Sequence, residues 1–395
     1  MKDTSLSCEE GDALRNFLLG FRSDHTKYSY LKKLRAFCEF SGLSVNEIVA
    51  MTRSDPKKLE QIILSFVNWL RGRGISGSTI RQHVQAIKHL LIMNDLENSL
   101  NWEKISKVMP KARKIGLDRA PTKEEIRKLL EYADVRLKAL ILLLCSSGIR
   151  IGSVEHLRWK HVVPVEYQGY KFAKLIVPVS KGGGETYVTF ITPEAYEALL
   201  EYKRLREAEG EDLTPESPLI RIVKWSKAED KGTPLPALSK TLRNELHNLW
   251  IKAGLREKSG NKPQEVKAVH GFRKFFATRL ENAGVGRLIV ETLMGHRISV
   301  ASNYYKPSEN ELMTAYAKAI PELTISEVLE SKLELQKKLA ERDKRIAELE
   351  KEYLALQERI SEMEKELFRL RKLLLTGKGS KGLKVKVAED REKFA

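Results

Sequence analysis

Two neighbouring tyrosines, Tyr304 and Tyr305, follow a Gly-His pair in the stretch GHRISVASNYYKPS, residues 295–308. Such a pair indicates no chemistry by itself, but a tyrosine becomes a nucleophile once its phenol loses its proton or its phenolate is stabilised. Several upstream side chains are cationic or able to transfer protons, without a carboxylate cluster suited to a metal ion: Arg150, Lys181, His270, Arg273 and His296. Because guanidinium groups bind phosphate with two hydrogen bonds and stay charged, this set suits chemistry on a phosphate ester.

The elements that carry these side chains decide whether they meet. Arg150 follows a helix break in SSGIR, and Lys181 lies on a Gly-rich turn between two predicted strands. His270 and Arg273, three residues apart in HGFR, share one face of a predicted helix. Taken singly, each residue has an ordinary role as a cap, a solvated charge or a packed histidine, so only the combination indicates a site.

The order and spacing of these residues resemble the tyrosine site-specific recombinases, the family of phage-type integrases and chromosome-dimer resolvases. The resembling motifs are LCSSGIRIGSVEHLRW, VSKGGGETYVTF, VHGFRKFFATRLENAG and LMGHRISVASNYYKPS, and the match covers roughly residues 121–310. In that family the nucleophilic tyrosine follows the histidine of the Gly-His pair by nine residues. The resemblance therefore implies that Tyr305, nine residues after His296, is the nucleophile and that Tyr304 is its neighbour.

The resemblance also implies a role for each of the other residues. Arg150 and Arg273 would neutralise the charge that develops on the phosphate oxygens, with His270 and His296 adding hydrogen bonds. His270 would accept the tyrosine proton, and Lys181 would protonate the departing 5′ oxygen. The expected product is a 3′-phosphotyrosine bond with a free 5′ hydroxyl, formed without metal, ATP or any other cofactor.

Two positions depart from the common family pattern. Where many members have an acidic residue that orients the first arginine, this chain has Ser153. Glu155 is not a simple replacement, because a shift of two residues on a helix is a rotation of about 200°. Where many members have a second histidine after the second arginine, this chain has Lys274.

The periodicity of the chain predicts a mainly α-helical protein with a small antiparallel β-sheet in an α+β catalytic domain. Five segments are expected: a helical core-DNA-binding domain at 1–110, a basic linker at 111–120, the catalytic domain at 121–320, a coiled coil at 321–375 and a flexible basic tail at 376–395.

The net charge of +17 and the sequence pI near 9.5 indicate a polyanionic partner, which we expect to be double-stranded DNA rather than a membrane. The N-terminal helices and the linker carry basic side chains that we expect to contact it: Arg81, His83, Lys88, Lys111, Arg113 and Lys114. The sequence does not indicate which bases are read.

Two series of residues, most of them apolar, recur every seven positions after Pro321. One contains Ile325, Leu339, Ile346, Tyr353, Ile360, Leu367 and Leu374, and the other Val328, Leu335, Leu349, Leu356, Met363 and Leu370. Lys332 and Arg342 interrupt them. The pattern predicts a coiled coil that promotes dimers or supports a synaptic tetramer. A solvated single helix, a self-folded hairpin and a purely stabilising role are the alternatives.

The leading expectation is a recombinase that integrates or excises a mobile element through a Holliday junction. A host resolvase of chromosome dimers and a type IB topoisomerase use similar chemistry, and a non-catalytic DNA-binding protein is the remaining class. The three cysteines, Cys8, Cys38 and Cys145, show no pairing or zinc-site spacing. With no signal peptide and no long apolar run, the protein is expected in the cytoplasm.

Overall fold

A computed structural model describes residues 11–110, 118–178, 186–223, 234–257, 265–296 and 307–375. The chain divides into two compact units, Met1–Leu323 and Thr324–Ala395, which are described separately. Among the described residues, no helix is both long and apolar enough to cross a membrane.

The N-terminal part of the first unit is helical, as predicted. Its helices are α1 (Asp12–Leu19), α2 (Asp24–Ser41), α3 (Val45–Ser54), α4 (Pro56–Gly72), α5 (Gly77–Ile92) and α6 (Trp102–Val108). Gly42 ends α2 in the left-handed region, and a capping box of Ser44 and Glu47 begins α3. Their apolar faces form one core around buried side chains such as Phe17, Phe37 and Phe66.

The rest of the first unit combines helices with three strands. The helices are α7 (Lys123–Tyr132), α8 (Val135–Ser147), α9 (Ile151–Val154), α10 (Pro193–Ala208), α11 (Ser239–Lys252), α12 (His270–Asn282), α13 (Arg287–Leu293) and α14 (Glu309–Leu323). The strands β1 (Val162–Tyr167), β2 (Tyr170–Val177) and β3 (Tyr187–Ile191) form an antiparallel sheet in that order. In register, Val162 lies opposite Leu175 and Ala173 opposite Ile191. The predicted fold class is therefore confirmed.

Helix α8 lies at the centre of this region, because its sequence from Ala139 to Ser147 is buried on every side. It packs against α10, α12 and β3. Gly148 ends it with a φ of +61°, and a Cβ atom there would collide with the ring of Phe276 on α12. This close approach brings the segment before Arg150 against the helix that carries Arg273.

Helix α14 packs on its own domain. In the structure its buried face, which includes Tyr316 and Ile320, packs against α12 and β3 of the same chain. The Tyr316 hydroxyl donates a hydrogen bond to the Ser146 carbonyl oxygen, at 2.8 Å.

The second unit contains one continuous helix of 49 residues, α15 (Glu327–Leu375). Its continuity is inconsistent with the self-folded hairpin. Ile325, the first member of one heptad series, precedes the helix, so that series begins within α15 at Lys332. The pairing of α15 with another helix stays a prediction.

Candidate active site

Arg273 is the central buried cation of the candidate site. It lies on the first turn of α12 and is 5% exposed. Its guanidinium donates to the Gly148 carbonyl oxygen, to the Met294 carbonyl oxygen at 2.7 Å and to Nε2 of His296 at 2.6 Å. Among the described residues no carboxylate forms a salt bridge with it, which is unusual for a buried charge.

A second guanidinium, that of Arg150, lies close enough to act on the first electrostatically. Burial lowers the pKa of Arg273 to about 10, and the positive charge of Arg150 contributes in the same direction. With this pKa, Arg273 is still protonated at neutral pH. Arg150 is exposed at the N-cap of α9, and within the described part of the chain no hydrogen bond or ion pair holds its side chain. Two cations without a carboxylate between them form a site for an anion.

His296 is held between Arg273 and an acidic residue that sequence reasoning missed, Glu291. Its Nδ1 is in short contact with the Glu291 carboxylate, and its Nε2 lies 2.6 Å from Arg273. Since arginine only donates, Nε2 must accept and the ring proton lies on Nδ1. In this arrangement His296 orients the guanidinium and has no Nε2 proton to offer a phosphate.

Local backbone geometry places His296. Gly295 follows α13 with a φ of +65°, and the His296 N–H donates to the Glu291 carbonyl oxygen at 3.0 Å. A Cβ atom at Gly295 would collide with the ring of Tyr187, the first residue of β3. Glycine at position 295 is therefore required by the backbone turn and by close packing on the sheet.

Tyr187 is the second residue of the site that sequence reasoning missed. Burial raises its pKa, while the charges of Arg273 and Arg150 act in the opposite direction. Its hydroxyl oxygen is buried beside these cations and has no hydrogen bond of good geometry within the described residues. A neutral phenol there has a proton that it can donate to an oxyanion.

His270 lies at the beginning of α12 and is exposed. Desolvation of its ring lowers its pKa below the usual value, and the positive charges of Lys274 and Lys267 lower it further. The imidazole is therefore neutral at pH 7 and able to accept a proton.

The structure also accounts for the departures from the family pattern. Ser153 is buried on α9, and Glu155 accepts the backbone N–H of Ser239 at the start of α11. Glu155 therefore caps another helix and does not replace the missing acidic residue. Lys274 forms an ion pair with Asp118, 2.7 Å from Oδ1, which fixes residues 118–120 to the first turn of α12.

Two of the expected catalytic residues, Lys181 and Tyr305, lie outside the described residues, as does Tyr304. The structure therefore brings together Arg150, Arg273 and His296, with His270 on the same helix turn as Arg273.

The expected DNA contacts have different surroundings. Arg81 is exposed on α5, and the Lys88 ammonium lies 5.4 Å from the Trp102 ring centroid. His83 is half-buried, with Nδ1 3.4 Å from the Lys33 carbonyl oxygen and its ring on Phe66. It thus packs α5 against α2, and a DNA contact would compete with that packing. The other three expected contacts, Lys111, Arg113 and Lys114, lie outside the described residues.

Glu291 and Tyr187 carried different signals in the sequence. Glu291 precedes His296 by five residues, a spacing that a left-handed residue at Gly295 converts into a contact. Recognition of LMGH as a helix end would have indicated it. Tyr187 is distant in sequence, and only the fold brings it to Gly295.

Comparison with known proteins places the chain among related sequences. Residues 120–311 match the family model described as the phage integrase family. The tyrosine recombinase XerA of Pyrococcus horikoshii is 26% identical over 310 residues, covering 75% of this chain and 96% of the relative. The tyrosine recombinase XerC of Rickettsia bellii strain OSU 85-389 is 28% identical over 316 residues, covering 76% and 92%.

The chain is also similar to solved structures of integrases. The crystal structure of a lambda integrase dimer bound to a COC′ core site has a TM-score of 0.48 and 16% identity, and the match covers 75% of this chain and 94% of that one. The match over residues 120–311, which spans every candidate catalytic residue, identifies this part of the chain as a phage integrase family domain.

Proposed function

We propose that this protein is a site-specific recombinase of double-stranded DNA that integrates or excises a mobile element. It cleaves one strand at each site through a 3′-phosphotyrosine intermediate on Tyr305, rejoins the strands with a partner site and passes through a Holliday junction. No metal, nucleotide or other cofactor takes part.

One observation carries the proposal: Arg273 is a buried cation without a carboxylate partner in the described structure, and Arg150 adds a second positive charge. A phosphodiester supplies the missing negative charge, and its non-bridging oxygens match the planar donor arrangement of guanidinium. As the phosphorus becomes five-coordinate, the growing charge on these oxygens strengthens both contacts.

The reaction follows from this binding mode. The Tyr305 oxygen attacks phosphorus while His270, neutral at pH 7, accepts the phenolic proton. The bond from phosphorus to the 5′ oxygen breaks, and Lys181 gives that oxygen a proton. The phosphate remains a diester on tyrosine, so a 5′ hydroxyl of the partner strand reverses the steps without external energy.

The relatives support the choice of substrate and assembly. Those with curated names are tyrosine recombinases, and one similar solved structure is a lambda integrase tetramer bound to a Holliday junction. We propose that this chain likewise acts on DNA as a self-associated dimer or synaptic tetramer, in the cytoplasm, with Arg81 and Lys88 among its contacts.

The function is tested with a nicked duplex in which cleavage releases a short strand fragment that carries the new 5′ hydroxyl. Without that hydroxyl the strand cannot be rejoined, so the enzyme stays attached. We expect a covalent protein–DNA adduct on the 3′ phosphate in the presence of EDTA. Absence of an adduct on every target fragment, with DNA binding retained, would show that the chain only binds DNA.

Mapping the adducts on genomic DNA separates the two recombinase roles. Adducts at the ends of an inserted element are expected for an integrase, and adducts at one fixed chromosomal site for a dimer resolvase. A type IB topoisomerase would instead relax supercoiled plasmid that lacks any target site, and we expect no such relaxation.

The rate of adduct formation should depend on the protonation of His270. Because its pKa is lowered, the rate should stay level from pH 8 to pH 7 and decline only below about pH 6.5, as the imidazole gains a proton. Replacing Lys274 with methionine removes a neighbouring positive charge, raises the pKa of His270 and should move this decline to higher pH.

Single-turnover rates between pH 5 and pH 8 measure the effect. The exposed lysine variant Lys252→Met, on α11, is the matched control and should keep the wild-type profile. An identical profile in Lys274→Met would show that His270 is not the proton acceptor.

Glu291 should act as a positioning residue. In Glu291→Ala, the imidazole is free to rotate or change tautomer, and Arg273 loses a fixed acceptor. The rate of adduct formation should fall on the order of tenfold to a hundredfold. ¹⁵N NMR of the histidines should show His296 protonated on Nδ1 in the wild type and a mixture in the variant. Glu281→Ala, an exposed glutamate on α12, is the control. An unchanged His296 tautomer would contradict this role.

A further inference from the structure

Helix α15 exposes a continuous apolar stripe. Along α15 the described apolar heptad side chains are open to solvent, with exposed fractions from 42% at Leu370 to 78% at Val328, whereas Ile325, before the helix, is buried. A stripe of this kind, carried along a helix about 70 Å long, is a binding surface rather than a stable solvent face.

The residue types within the stripe favour a two-stranded pairing. If the series containing Ile346 and Ile360 is assigned to heptad position a, then Leu349, Leu356 and Leu370 occupy position d. The two isoleucines are the β-branched a residues of α15, beside Leu339, Tyr353 and Leu367, and β-branched residues at a with leucine at d favour parallel dimers over higher oligomers.

The charged residues beside the stripe indicate the orientation of the partner. In a parallel, in-register dimer, each residue at position g faces the e residue of the next heptad on the partner. Three of these pairs join opposite charges: Arg345 with Glu350, Arg359 with Glu364, and Glu366 with Arg371. A fourth pair, Glu352 with Gln357, brings no like charges together.

An antiparallel dimer with full overlap gives the opposite result. Position g then faces g and position e faces e, so Arg345 lies near Arg359, Glu352 near its own copy and Glu350 near its own copy. Shifting one helix along the other by seven residues separates these like charges, but it leaves part of the apolar stripe of each helix unpaired. Charge complementarity therefore favours the parallel arrangement.

Lys332 at position a and Arg342 at position d fit this arrangement at some cost. In register, each lies near its own copy and extends its charged end toward solvent. A lysine at one a position is known to fix register and to favour two strands while lowering stability.

We propose that α15 pairs with α15 of a second copy of this chain as a parallel, in-register, two-stranded coiled coil. The pairing does not require DNA, so it is measured separately from cleavage.

Disulfide trapping in the full-length chain tests the orientation, with Cys8 and Cys38 replaced by serine. Leu335→Cys and Leu370→Cys, near opposite ends of α15, should each give a disulfide-linked dimer on mild oxidation, because each d residue meets its own copy. Lys365→Cys, at the outward position f, is the control and should stay unlinked. Linkage only when the two cysteine variants are mixed would show an antiparallel pair.

Charge reversal provides the second test. Arg345 and Glu350 are exposed, and Arg345 contacts Glu348 of its own helix at 3.1 Å, a pair that solvent can replace. Arg345→Glu should raise the dimer dissociation constant on the order of tenfold, and Glu350→Arg in the same chain should restore it. The readout is mass in solution, which should be twice 45.1 kDa for the wild type. A wild-type monomer, a trimer or a failed rescue would overturn the proposal.

Discussion

Replacing Tyr305 with phenylalanine should abolish the covalent protein–DNA adduct, whereas Tyr304→Phe should leave it within a few-fold of wild type. Phenylalanine lacks the oxygen that attacks phosphorus, so the chemical step is lost without a change in ring packing. Two adjacent side chains cannot both occupy the single attacking position at one phosphate. We propose Tyr305 for that position because, in the tyrosine recombinases that this chain resembles, the nucleophile follows the histidine of the Gly-His pair by nine residues.

Gel analysis of the trapped adduct measures the result directly. Each variant is the other's control, because both remove one hydroxyl from adjacent positions. Both should bind the nicked target as the wild type does. If Tyr304→Phe abolishes the adduct while Tyr305→Phe keeps it, the assignment of the nucleophile is wrong.

Arg273→Lys should lower the rate of adduct formation by about 10²- to 10³-fold, although the positive charge is kept. The guanidinium donates to the Gly148 and Met294 carbonyl oxygens and to His296, and in the proposed mechanism its charge also acts on the phosphate. A lysine ammonium has a single nitrogen and no planar arrangement of donors, so it cannot make these contacts together.

Arg279→Lys is the matched control on the same helix, because Arg279 lies in a partly exposed ion pair with Glu322. It should keep near-wild-type cleavage. Thermal unfolding of both variants separates misfolding from loss of chemistry. A cleavage rate for Arg273→Lys within a few-fold of wild type, in a folded protein, would contradict the role of the buried guanidinium.

The sequence allowed the fold class and the meeting of Arg150, Arg273 and His296 to be predicted, because their motifs carry recognisable spacing. It did not reveal that His296 orients Arg273, since that depends on the tautomer set by Glu291. The DNA contact expected of His83 stays a prediction, and the sequence did not indicate that its ring packs on Phe66.

The buried charge of Arg273 also links ligand binding to folding stability. In the free protein, this cation lies out of solvent without a counter-ion in the described structure, which lowers the free energy of unfolding. An anion that binds only the folded state adds RT ln(1 + [L]/Kd) to that free energy, so sulfate or DNA should raise the melting temperature. A variant without the buried charge of Arg273 should have a larger free energy of unfolding and a slower reaction. The charge that destabilises the free protein is the one proposed to bind the phosphate.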